Sequence, residues 1–144
     1  LFDLYRQFYK YKSNLTESTK YIKDRINNKE SKIFIAINVA NEAIGFVQLY
    51  ETFGSLDLGK IIILYDLYVK KDHRKNKIGR QLILRSHEYA KKIIIDKNLR
   101  AEIIFQSIYG INMSLVADLI LEDNLKVRIL PQLHKIIRVN SGGV

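Results

Sequence analysis

Between Lys60 and Lys70 the chain reads K-I-I-I-L-Y-D-L-Y-V-K, and this stretch with its sequel narrows the possible folds most. A continuous apolar run interrupted only by Asp66 and bounded by lysines predicts a central strand covered on both faces. A basic turn, Lys71 to Lys77, leads to Gly79. Leu82, Ile83, Ala90, Ile93 and Ile94 then mark a helix of about four turns. The first-turn N–H groups of such a helix lack intrahelical acceptors, and the helix dipole is positive there, so the turn is an anion site. Lys71, Arg74, Lys75 and Lys77 add charge beside it. A diphosphate is the natural occupant. Gly79 has no Cβ, so a ligand can approach its backbone closely.

The flanking segments complete the order of elements. Leu1, Leu4, Tyr5, Phe8 and Tyr9 form one helical stripe within residues 1–12. Asn14 sits where an N-cap would, with Glu17 three residues on, and Leu15, Ile22 and Ile26 give that second helix its stripe. Lys32 to Asn38 and Ala43 to Glu51 are strand-like, with Asn38 to Asn41 as the hairpin loop between them. Phe53 to Gly59 is a loop. Ala101 to Ser107 predicts a strand, and Asn112 to Asp123 a helix with Leu115, Val116 and Leu119 inward. Leu125 to Leu130 and Lys135 to Val139 predict a hairpin around Pro131. Residues 141–144 read as a frayed tail. The order α-α-β-β-β-α-β-α-β-β predicts a mixed sheet with helices on both faces.

At 144 residues the chain is expected to form a single domain, 1–144. Without cysteine it has no disulfide framework, no thiolate nucleophile and no Cys-based zinc site. His73, His87 and His134 lack metal-ligand spacing, so no metal is expected. No run approaches the ~20 apolar residues of a membrane span, and no signal peptide is visible. No membrane partner and a cytoplasmic location are therefore expected. Leu1 is not a methionine, so either a start was removed or the chain is part of a longer product. The net charge of +9 favours anionic partners. Heavy use of Lys, Ile, Asn and Tyr, all with AT-rich codons, explains the same charge through composition.

The central segment resembles the acetyl-CoA-binding motif of the GNAT superfamily of N-acetyltransferases. That motif is a strand ending in Asp-Leu-Tyr/Phe-Val, then Arg/Gln-x-x-Gly-x-Gly/Ala, then a helix. Here it reads Asp66-Leu67-Tyr68-Val69, then Arg74-Lys75-Asn76-Lys77-Ile78-Gly79, then Arg80-Gln81-Leu82. Ile44 to Tyr50 resembles the family's third strand, and Phe2 to Tyr9 the first helix of small members. Residues 1 to about 97 carry the likeness; residues 98–144 diverge from the family's second half. The resemblance implies a GNAT-like α/β (α+β) fold. Its central sheet would be mixed and mostly antiparallel, with the first edge strand missing. It also implies acetyl transfer from acetyl-CoA to a primary amine by direct attack.

The resemblance implies that the pantetheine arm pairs with Leu67, Tyr68 and Val69. The diphosphate would lie on the N–H groups of Lys75, Asn76, Lys77, Ile78, Gly79 and Arg80, with Arg74 beside them. An amide near Leu67 or Tyr68 would polarise the thioester carbonyl. Lys77 stands where the motif has its first glycine. If that position needs a positive φ, a lysine there costs of order 1–2 kcal/mol.

For catalysis the candidates are Asp66, to orient or deprotonate the amine, and Tyr109, to protonate the leaving thiolate. Asp66 could instead be a buried carboxylate bonded to loop backbone or a basic side chain, and Tyr109 an ordinary tyrosine. Tyr5, Tyr9, Glu51 and Asp57 are candidates for the acceptor side. The aromatics of a helix stripe also read as core.

Two other readings stand beside the enzyme. One is an inactive remnant of the fold, suggested by Lys77, the missing first strand and the divergent tail. The other is a basic nucleic-acid-binding module, suggested by the charge run Lys70 to Lys77. In the acetyltransferase reading, nucleic acid is not an expected partner. The partners are acetyl-CoA and an amine, with a homodimer through an exposed sheet edge left open.

Overall fold

The computed structural model describes residues 1–55, 58–96, 103–106, 113–124 and 128–130. Two helices come first, α1 (Phe2–Phe8) and α2 (Leu15–Asn27). Three strands follow, β1 (Ser31–Ile37), β2 (Ala43–Gly54) and β3 (Gly59–Val69). A short 3-10 turn, Lys71–His73, leads to α3 (Ile78–Asp96), β4 (Ile103–Gln106), α4 (Met113–Glu122) and β5 (Arg128–Leu130). The order of elements matches the sequence expectation through β5. The predicted partner of β5 at 135–139, the side chains of Leu115, Val116 and Leu119, and the tail lie outside the described residues.

The five strands form one sheet in the order β1-β2-β3-β4-β5. The β1/β2 and β2/β3 ladders are antiparallel and long; β3/β4 and β4/β5 are parallel and short. The sheet is therefore mixed, with most of its ladder antiparallel. Phe53, expected in a loop, lies instead in β2, whose pairing with β3 continues to Gly54 opposite Gly59.

Burial explains how the two faces are used. Val47 and Leu49 from β2, Ile62 from β3, Leu82, Ile83 and Ala90 from α3, and Ile120 from α4 form one buried cluster. Leu64, Leu67 and Val69 pack against it. Gly45 lies on this same face: a Cβ there would stand 3.0 Å from the Tyr68 carbonyl oxygen and 3.4 Å from Leu82 Cδ1. Sheet and α3 are that close, and glycine permits it. α1 and α2 cover part of the opposite face. There the α2 stripe is looser than the sequence suggests, because Leu15 and Ile26 are exposed.

β3 contains a feature that its sequence conceals. Leu49 pairs with Leu64 but Gln48 pairs with Asp66, so Tyr65 is an extra residue, a β-bulge. The bulge shifts the alternation by one. Ile62 and Leu64 face α3 before it; Leu67 and Val69 face α3 after it. Hence the run looks apolar at every position although each half alternates. It is not covered on both faces throughout, since Tyr65 is 60% exposed.

Asp3 clasps α1 to α2. Its carboxylate accepts hydrogen bonds from Ser13 Oγ (2.7 Å), Gln7 Nε2 (2.8 Å), the Asn14 N–H (2.8 Å) and Ser18 Oγ (3.1 Å). Asn14 itself caps α2, its Oδ1 accepting the Glu17 N–H at 3.1 Å. The donors, Ser13 first and the Asn14 amide next, hold the Asp3 carboxyl down at about 2, from an ordinary 3.8. A depressed carboxyl stabilises the fold above its ordinary value, and this support is lost as pH falls from about 4 toward 2. Thermal melts of Asp3→Asn are expected to start from a lower Tm at neutral pH. The variant should lose less than wild type between pH 4 and pH 2; an equal acid slope in both proteins would show that Asp3 is not the titrating group.

Candidate active site

The site begins with the backbone of β3. The Lys70 N–H donates to the Ile44 carbonyl at 2.8 Å. Bonding residues alternate in an antiparallel ladder, so Tyr68 and Asp66 also turn their backbone groups toward β2. Leu67 and Val69 turn theirs away. The Val69 carbonyl shows this directly, since it accepts Arg74 Nε at 2.9 Å. β4 pairs only with Ile62, Ile63 and Leu64, before the bulge. Past Tyr65, the outer edge of β3 is thus unpaired among the described strands, and the Leu67 N–H lies on it. Of the two amides named from sequence, Tyr68's is directed to β2 and Leu67's is the one on the open edge.

The turn follows at once. Lys75 and Lys77 have positive φ, 65° and 58°. Lys77 O accepts the Gln81 N–H at 3.0 Å, the first intrahelical bond of α3. The N–H groups of Ile78, Gly79 and Arg80 therefore have no acceptor within the helix. A left-handed residue running into a helix gathers such amides into an anion-binding concavity. A Cβ on Gly79 would meet nothing nearer than Val69 Cγ2, at 3.9 Å. Among the described residues there is thus room for a Cβ at Gly79, and packing does not demand glycine there.

The positive φ at Lys77 is the strain that the sequence predicts for a residue in a glycine's place. Lys77→Gly should raise stability by about 1 kcal/mol, read as a higher urea midpoint at unchanged m. An unaltered or lower midpoint would mean that the lysine is at ease in this conformation.

Two basic residues of the motif are turned elsewhere. Arg74 stacks over the rings of Phe8 (4.9 Å) and Tyr68 (5.7 Å) while it holds the Val69 carbonyl. Arg80 bonds to the C-terminal end of α4 and the residue after it, through Glu122 (3.0 Å) and Asp123 (3.1 and 2.5 Å). Its backbone N–H, not its guanidinium, is what it offers to an anion. The side chains of Lys75, Asn76 and Lys77 are exposed.

Asp66 lies on the α1/α2 face, 5% exposed. Its Oδ1 accepts the Tyr5 hydroxyl at 2.5 Å. Burial raises its pKa, opposed by the Tyr5 hydrogen bond. Burial, and then the bond to Asp66, push the Tyr5 hydroxyl upward, so Tyr5 stays protonated as a donor. The Tyr9 ring meets that of Tyr5 edge-on at 5.1 Å. α1 thus sets Tyr5, and Tyr9 at its C-terminal cap, beside Asp66.

Glu51 is not brought there. It pairs with Ile62 on the α3 face, and its carboxylate is 3.7 Å from Lys60 Nζ. Asp57 and Tyr109 lie outside the described residues.

Gln48 is the polar residue that sequence reasoning passed over. It is the cross-strand partner of Asp66 and is fully buried. Its Nε2 donates to Ser31 Oγ (2.7 Å) and to the Tyr50 hydroxyl (2.9 Å), and its Oε1 is buried without a partner among the described residues. An amide inside the run G-F-V-Q-L-Y was the signal, the counterpart of Asp66 in its own run.

The strand order and the helices on both faces make a mixed α/β architecture. The model of the acetyltransferase (GNAT) family matches residues 1–104, and the chain belongs to that family. The uncharacterised N-acetyltransferase YhfO of Bacillus subtilis is 41% identical over 90 residues, which cover 62% of this chain and 60% of that protein. A Haemophilus influenzae protein named as a probable acetyltransferase is 32% identical over 89 residues, 62% of this chain and 61% of its own. The match thus spans about three fifths of each of these relatives. Among solved structures, a probable acetyltransferase superposes with a TM-score of 0.64 at 26% identity, covering 84% of this chain and 76% of its own. The aminoglycoside acetyltransferase meta-AAC0020, from an uncultured soil sample, shares the fold at a TM-score of 0.61 and 16% identity, covering 80% and 72%.

Proposed function

We propose that this chain is an N-acetyltransferase that moves an acetyl group from acetyl-CoA to a primary amine. The observation that carries the reading is the open edge of β3 running into the amide-lined turn 75–80. The edge suits an extended amide-bearing arm, and the turn suits the diphosphate at that arm's end. The Leu67 and Val69 backbone would bind the arm as an added strand. Arg74 would release the Val69 carbonyl as it does so. The N–H groups of Ile78, Gly79 and Arg80 would hold phosphate oxygens, with Lys75, Asn76 and Lys77 at the rim.

Acetyl-CoA supplies an activated thioester. The Leu67 N–H, fixed by the β2 ladder, is aimed to stabilise charge growing on a carbonyl oxygen. Asp66, held by Tyr5, orients the acceptor and takes the proton that its nitrogen loses. The C–N bond forms, the C–S bond breaks, and CoA leaves as its thiolate, to be protonated by solvent or by a hydroxyl of the site. No side-chain nucleophile is required, in keeping with a chain without cysteine. The proposed reaction is cytoplasmic, where acetyl-CoA is made.

The test is release of free CoA thiol from acetyl-CoA with a panel of primary amines. Amine-dependent thiol release is expected. Tight acetyl-CoA binding with no release for any amine would reduce the chain to a cofactor-binding remnant.

A further inference from the structure

Six of the chain's nine tyrosines, with Phe2, Phe8 and Phe46, lie on the one sheet face that also holds Asp66. They form a continuous row. Tyr65, thrown outward by the bulge, meets Tyr50 edge-on at 5.6 Å. The Tyr50 and Tyr21 hydroxyls are 3.1 Å apart. Tyr21 stacks on Phe2 at 5.1 Å, and Phe2 leads to Tyr5 at 5.8 Å. Tyr5 carries the Asp66 hydrogen bond.

Two properties of this row bear on what it can bind. Three of its hydroxyls are engaged: Tyr5 with Asp66, Tyr21 with Tyr50, and Tyr50 also with Gln48. What the row offers outward is ring surface at Tyr65, which is 60% exposed, while the Tyr21 ring is taken by Phe2, stacked at 5.1 Å, and by the Arg25 guanidinium at 4.9 Å. Among the described residues, Asp66 is the one carboxylate hydrogen-bonded to the row. Asp3, at the far side of α1, is saturated by its four donors, and Arg74 stands over Phe8 and Tyr68 at the row's other end. A ligand with several ammonium groups would meet one carboxylate, Asp66, and two guanidiniums, Arg25 and Arg74. A flat apolar body with one ammonium matches both properties, since rings attract rings and cations alike.

We propose that the acceptor is a monoamine with an aromatic or similarly flat apolar body, lying along Tyr65 and Tyr50 with its nitrogen at Asp66. The inference rests on the acetyltransferase reading and names the substrate class of that same site. Tyr65 is then a specificity-determining residue, positioned by the bulge.

The experiment measures kcat/KM of the whole chain, with saturating acetyl-CoA, for phenethylamine, n-butylamine and spermidine. Acetyl-CoA binding is measured in parallel by calorimetry. Phenethylamine is expected to lead the other two by at least about tenfold, the scale of one ring contact plus one cation contact. Tyr65→Ala should raise KM for phenethylamine about five- to tenfold, with the KM for acetyl-CoA unchanged. Equal or better use of spermidine or butylamine would overturn the inference, as would an unchanged KM in Tyr65→Ala. Acetyl-CoA binding without acetylation of phenethylamine overturns this inference alone. Failure to bind acetyl-CoA overturns it together with the reading beneath it.

Discussion

Gly79→Glu is expected to remove acetyl-CoA binding while leaving the protein at least as stable as wild type. The two effects have opposite signs because the glycine serves the ligand rather than the fold. A Cβ at this position meets only Val69 Cγ2, at 3.9 Å, so packing tolerates it. Glutamate is the better helix former by about 0.5–1 kcal/mol, and an acid in the first turn suits the helix dipole. The same side chain stands among the amides of the turn and sets a carboxylate against the diphosphate. An affinity loss of at least about a hundredfold follows from steric exclusion and like-charge repulsion together. Calorimetric titration of the variant, beside its thermal melt, reads both effects. Undiminished affinity would remove the turn from the cofactor site.

Asp66→Asn should lower kcat/KM by about two to four orders of magnitude, the usual contribution of a positioned acid–base group. Acetyl-CoA affinity should stay as in wild type, because Asp66 faces α1 and the proposed cofactor edge faces β4. Its pKa is raised by burial, so the sign on stability is the reverse of that for Asp3. A raised carboxyl supports the fold below its ordinary 3.8, and that support is lost as pH rises through the raised value. The asparagine variant should be the more stable protein at neutral pH.

The pH dependence of the rate gives an independent check. Activity that needs the Asp66 carboxylate rises with pH through the raised value. Tyr5→Phe deletes the hydrogen bond that lowers that value, so the acid limb of the profile should move to higher pH. A limb that stays in place in Tyr5→Phe, or an Asp66→Asn enzyme of wild-type rate, would relieve Asp66 of the role.

The order of elements was legible because each left a local mark. Asn14 with Glu17 marked a cap, alternation marked β1 and β2, and the glycine-ended basic turn marked the start of α3. The positive φ at Lys77 was legible too, through its departure from a glycine-bearing motif. What stayed hidden depends on register. The bulge at Tyr65 reads in sequence as an unbroken apolar run, and only pairing with β2 reveals the change of parity. The same register decides which amides of β3 are open, and it sets Glu51 on the face opposite Asp66. The partners of Asp66 were equally invisible: Tyr5 lies 61 positions away, and Gln48 reaches the site only across the sheet. Periodicity named Tyr5 and Tyr9 as a stripe of α1 but could not say whether that stripe met core or site.

The most direct test of the account is calorimetric titration of the unaltered chain with acetyl-CoA, with ATP as a control for general anion binding. The account predicts saturable one-to-one binding of acetyl-CoA, tightened by Lys77→Gly and not reproduced by ATP. A chain that melts cooperatively yet takes up no acetyl-CoA would contradict it, leaving the family's fold without the family's cofactor.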